Sequence, residues 1–180
     1  MTTLPRIALV AALALACAAC STSTSSPAST ATLAATSTPA VPPVSFTSTT
    51  ITWTRDGVTA SMQVEVASTP EQGERGLGYR DELPEDAGML FDLHETRIPQ
   101  FWMKGMRFAL DMVWIGEDRR IAAVTANIPP QPGASDEELA RISPLVAVRY
   151  VLELNAGAAG RHGIAAGTQL AFELPPSPAP

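Results

Sequence analysis

Val58, Ala60, Met62, Val64 and Val66 alternate with Thr59, Ser61, Gln63 and Glu65. Successive side chains on a strand point to opposite faces, so this period of two describes one buried and one wet face and excludes a helix across the segment. Ahead of it, Thr50 to Thr54 alternates as well, with Ile51 and Trp53 on one parity, and Asp56-Gly57 lies between the runs. That dipeptide accepts positive φ, which predicts a β-hairpin. Thr69-Pro70-Glu71-Gln72 predicts a helix start, with Thr69 as N-cap, proline at the first helical position and glutamine at N3; Gly76 and Gly78 keep the helix short. Further short strands are expected over Gly88 to Phe91, Gln100 to Lys104, Leu110 to Ile115, Ile121 to Ala126 and Val148 to Leu154, with a turn at Gly116-Glu117-Asp118. Ser135 to Glu138 predicts a small exposed helix through a second capping box. Asn155 is expected to cap a helical turn ending at Gly163, before a closing strand around Gln169 to Leu174. About eight or nine short strands with two or three small helices make the fold class mainly β, a single-domain β-sandwich or barrel.

The ends of the chain have a different composition. Arg6, the apolar run Ile7 to Ala16 and then Cys17-Ala18-Ala19-Cys20 describe a signal segment too short to span a bilayer. A cysteine at the break, preceded by small residues, resembles the lipobox of bacterial lipoproteins. Cys17 and Cys20 both fit; Cys20 is preferred as the lipidation site because the polar Ser21-Thr22-Ser23 run follows it directly. The expectation is a signal peptide over 1–20 and a lipid anchor holding the domain to the cell envelope, on the outer membrane facing the periplasm if the cell is Gram-negative. Residues 21–45 are almost entirely Ser, Thr, Ala and Pro with no charge, which predicts a disordered tether, and 175–180 a disordered tail. The folded domain is then 46–174. Cys17 and Cys20 are the only cysteines, so with Cys20 acylated the exported domain carries no thiol chemistry. The formal charge is −6, no acidic residue precedes Asp56, and the arginines are scattered, which argues against nucleic acid as a partner.

Five blocks carry a resemblance. Glu74-Arg75-Gly76-Leu77 with Tyr79-Arg80-Asp81-Glu82-Leu83, Gly88-Met89-Leu90-Phe91, Phe101-Trp102-Met103-Lys104, Leu110-Asp111-Met112, and Tyr150 to Gly157 resemble, in order and spacing, the DUF192 family over roughly residues 55 to 174. The resemblance implies a compact, mainly β domain, often exported in bacteria, whose biochemical role is uncharacterised; it transfers a fold and no mechanism. Many relatives read Gly-Leu-Met at Gly76-Leu77-Gly78 and Lys-Asn-Thr at Lys104-Gly105-Met106.

Lys104, the only lysine, stands in the densest group of large apolar residues. A buried unpaired ammonium is costly, so it must snorkel or find an acid. With 100–104 as a strand, Trp102 and Lys104 share one face, and Asp111 on the returning strand comes within salt-bridge reach. The ligand-binding candidates are therefore Trp102 for stacking, Lys104 steadied by Asp111, and Arg80 after the glycine-broken helix, for an anionic or hydroxylated ligand. The alternative is that the aromatics are core, that Lys104 and Asp111 close a hairpin, and that Arg80 pairs with Glu74 or Asp111. Glu153, between Leu152 and Leu154, is a weak catalytic candidate; with Asp111 it would make a two-carboxylate hydrolase site for glycans or esters. His94 and His162 have no metal-ligand spacing, and no cofactor motif is present, so neither metal nor cofactor is expected. Three functions stay open: non-catalytic binding of a small or cell-wall-associated ligand, glycan or ester hydrolysis, and docking of an envelope protein.

Overall fold

The structure, a computed structural model, describes residues 44–176. Strand β1 (Thr47–Arg55) turns directly into β2 (Val58–Ala67). Asp56 and Gly57 take φ of 51° and 78°, the paired positive values of the tight hairpin turn that Asp-Gly favours. The short helix α1 (Pro70–Arg75) then crosses over to β3 (Ala87–Arg97), which pairs parallel to β2. Its capping box is complete: the Thr69 hydroxyl accepts from Gln72 N, and Gln72 Oε1 accepts from Thr69 N and Ser68 N. Antiparallel β4 (Leu110–Ile115), β5 (Ile121–Ile128) and β6 (Val148–Asn155), helix α2 (Ala158–His162) and the two-residue β7 (Leu170–Ala171) complete the chain.

The seven strands form one sheet in the order β5-β4-β6-β3-β2-β1-β7. It is a curled half-barrel, and not two facing sheets. Residues 167–171 lace its margins together at one end: Leu170 and Ala171 pair with β1, while Gly167 N donates to Ile121 O and Ile121 N donates to Thr168 O. The concave side holds one core, built from Ile51, Trp53, Val64, Leu90, Val113, Leu152 and Leu154 and plugged by Ala158 and Ala159 of α2. A second core lies on the outer side of β3, β4 and β6, where Met89, Phe91, Met112, Trp114 and Val151 are covered by Leu77, Leu83, Met103 and Met106 from connecting segments. Strand β6 is thus covered on both faces, which is why it reads as an almost unbroken apolar run.

Three expected elements differ. Gln100 to Lys104 is a loop with one β-bridge, Phe101 to Ile142; its apolar density comes from covering the second core, not from a sheet face. Ser135 to Glu138 forms its reciprocal bond, Ser135 N donating to Glu138 Oε2, but only a turn follows, because the chain is drawn back by Ile142 onto Phe101. Asn155 does not cap α2. Its amide donates to Leu83 O and Pro84 O, and the N-cap is Gly157. The signal segment, Cys17, Cys20, residues 21–43 of the tether and 177–180 of the tail lie outside the described residues.

Candidate functional site

The bulge in β3 creates the site. The β3–β6 register shifts between Asp92 and Arg97, and His94 within that span has φ of 61°, unusual for a residue with a side chain. Asp92 fixes this bend, accepting from His94 N at 2.8 Å and pairing with Arg149. The His94 ring reaches Ser68 O at 2.6 Å, tying the bulge to the loop before α1. Between the bulge, α1 and the 99–104 loop lies a pocket of about 410 Å³. Its apolar wall includes Leu77, Phe91, Phe101 and Trp102, and its charged lining is Glu74, Asp92, His94, Arg97, Lys104 and Glu153.

Glu153 is the unusual member. It sits on central strand β6 opposite Met89 and Met112, on the face of the second core, and is 4% exposed. No side chain or backbone group among the described residues donates to its carboxyl or pairs with it, and burial alone pushes its pKa up from 4.5 to about 8. At neutral pH it is therefore a carboxylic acid, able to donate a hydrogen bond into the pocket.

Of the other expected site residues, the structure brings two to this pocket. Trp102 and Lys104 line it; Lys104 Nζ pairs with Asp136 Oδ2 at 2.5 Å and lies 5.3 Å from the Trp102 ring centroid, where Arg141 also stacks at 4.1 Å. The hydrogen bond to Asp136 raises the Lys104 pKa. The expected pairing of Lys104 with Asp111 is not formed. Asp111 registers with Leu154 on the concave face, fully buried, where its carboxyl accepts from Asn127 N at 2.8 Å and Ala159 N at 3.0 Å. It is the cap that α2 otherwise lacks. Arg80 lies elsewhere, bound to Glu65 at 2.5 Å and stacked on Phe46, so neither Glu74 nor Asp111 is its partner.

Asp111 and Glu153 consequently occupy opposite faces of the sheet and cannot flank one bond as a carboxylate pair must. His94 reads as a loop position in the sequence, and the signal there that points to the bend is Asp92-Leu93-His94, an acid two residues before a histidine. The glycine departures also have a local cause. Gly105 has φ of 67°, and a Cβ there would meet the Tyr79 ring at 2.9 Å, while one on Gly78 would lie 3.0 Å from Lys104 O. Tyr79 N donates to Gly105 O at 2.8 Å, so the two loops close on each other through glycine contacts.

A curled half-barrel with a loop-covered outer core and one buried acid beside its pocket is a compact, mainly β domain. Residues 51–172 match the profile of DUF192, described as an uncharacterized ACR, and the chain belongs to that family. No curated protein matches it. Among solved structures it is similar to a Sinorhizobium meliloti protein provisionally described as a transcription regulator, with 38% identity, TM-score 0.65, and 73% of this chain and 98% of that one covered. It is also similar to a Novosphingobium aromaticivorans protein of unknown function, with 29% identity, TM-score 0.61, and 76% and 94% covered.

Proposed function

We propose that this is an exported, lipid-anchored domain that binds a small or cell-wall-associated organic ligand, without catalysis, in the pocket above Glu153. The observation that carries the binding reading is a carboxyl in an apolar strand, nearly fully buried, facing a pocket and lacking a partner among the described residues. Burying such a group unpaired costs on the order of 2–7 kcal/mol, and a ligand that completes its hydrogen bonding offsets that cost. The anchor rests on the lipobox-like segment ending at Cys20, with 21–45 as tether. Hydrolysis loses its support with the separation of Asp111 from Glu153. Docking of a protein has less support than the pocket, since of the exposed large hydrophobic side chains, Val58, Tyr79, Ile98, Leu145 and Val146, only the last two are neighbours in the sequence. The regulator description of the Sinorhizobium protein is not carried over, because an acidic domain with scattered arginines offers DNA little attraction.

Gly73 provides the test. It lines the pocket on α1, and a Cβ there meets nothing within 4 Å. Gly73→Phe is expected to fold at least as well as the parent, since glycine inside a helix is unfavourable, while obstructing the pocket. Ligand-observed NMR with fragments of about ten to fifteen heavy atoms, a size suited to such a cavity, should give binders that Gly73→Phe loses. Equal binding by both proteins would refute the site.

A further inference from the structure

We infer that the pocket selects an organic cation, a protonated amine on an apolar body, which takes Glu153 as its counter-ion. This rests on the binding reading above and specifies its ligand class. The first support is the balance of charges in the lining. Arg97 is paired with Glu95 at 3.4 Å, Lys104 with Asp136, and Asp92 with Arg149. The remaining acids, Glu74 and Glu153, have no ion-pair partner among the described residues, so the lining carries one unbalanced negative charge, on Glu74, while Glu153 is protonated, and a second once Glu153 ionises. The second is the chemistry of the wall. Phe91 and Phe101 meet edge to face with centroids 5.1 Å apart, and aromatic faces attract cations. Trp102 already carries two cations over its ring, which leaves the deeper phenyl rings and the carboxyl for a ligand.

The proton balance is simple. The free pocket holds Glu153 as COOH; an entering ammonium is paired by COO⁻, and one proton leaves to solvent. Amine affinity should then rise about tenfold per pH unit toward pH 8, where Glu153 ionises without help, and level off above it. His94, Glu74 and Asp92 also face the pocket, so the pH response is assigned to Glu153 by comparison with Glu153→Gln, and not from the profile alone.

The experiment uses 2-phenylethylamine, 2-phenylethanol and phenylacetate, which share one body and differ in charge. Their dissociation constants are measured by NMR shift titration at pH 6, 7 and 8 on the parent, Glu153→Gln and Gly73→Phe. The expected result is amine binding at least tenfold tighter than the alcohol at pH 8, weakening by roughly tenfold per unit of acidification. Glu153→Gln should lose that preference and still bind the alcohol. If the alcohol or phenylacetate binds as well as the amine, the cation inference is wrong while the pocket stands. If none of the three binds, or Gly73→Phe binds them as the parent does, both readings fall.

Discussion

Replacing Glu153 with glutamine should remove a pH dependence from folding. The native carboxyl titrates at about 8 and an exposed glutamate at 4.5, so between those values the folded protein holds a proton that the unfolded chain has released. The sign follows: where the native state binds more protons, stability falls as pH rises. The contribution is fully present below pH 4.5 and lost progressively up to about pH 8. The span of 3.5 units, 8 minus 4.5, at 1.36 kcal/mol per unit gives a loss of about 5 kcal/mol. That is comparable to the whole stability of many domains, about 5–15 kcal/mol. Urea denaturation of parent and Glu153→Gln at pH 5, 6.5 and 8.5 reads the difference directly, because every other titrating group is common to both. The parent should lose several kcal/mol relative to the variant between the first and last pH, with unchanged m-values. Parallel stability profiles would show that Glu153 is not a buried, partnerless acid.

Asp111→Ala should be the severest single change at a polar position. It strands Asn127 N and Ala159 N at about 1–3 kcal/mol each, about 2–6 kcal/mol in all, seen as a lower urea midpoint and faster amide exchange in α2; a loss below 1 kcal/mol would deny it the capping role. Lys104→Ala should leave the melting temperature unchanged and retain amine binding, while amide exchange in 135–139 accelerates through loss of the Asp136 tie. Abolished binding in that variant would make Lys104 a direct ligand contact.

The sequence spoke most clearly where one local rule governs. The Asp56-Gly57 hairpin and the Thr69 capping box depend on neighbouring residues, and both formed as their spacing implies. Gln100 to Lys104 reads as a strand because apolar density looks alike on a sheet face and on a loop lying over a core. Lys104 has an acid seven residues on, but its partner is Asp136, thirty-two residues away, delivered by a proline-flanked excursion whose path no local pattern reveals. Asp111 and Glu153 pose the same difficulty in another form. Alternation assigns faces within one strand, but which face of β4 matches which face of β6 is set by register, Asp111 with Leu154 and Met112 with Glu153. Glu153 was visible as an acid between leucines. Its burial was not, because only the cover of the second core shows that the outer face of β6 is dry.

The most direct test of the account is the titration of the Glu153 carboxyl itself, followed by the pH dependence of its side-chain ¹³C shift in the intact domain. A midpoint near 8 in the free protein, falling when 2-phenylethylamine is added, is the predicted result. A midpoint near 4.5, unmoved by the amine, would contradict it.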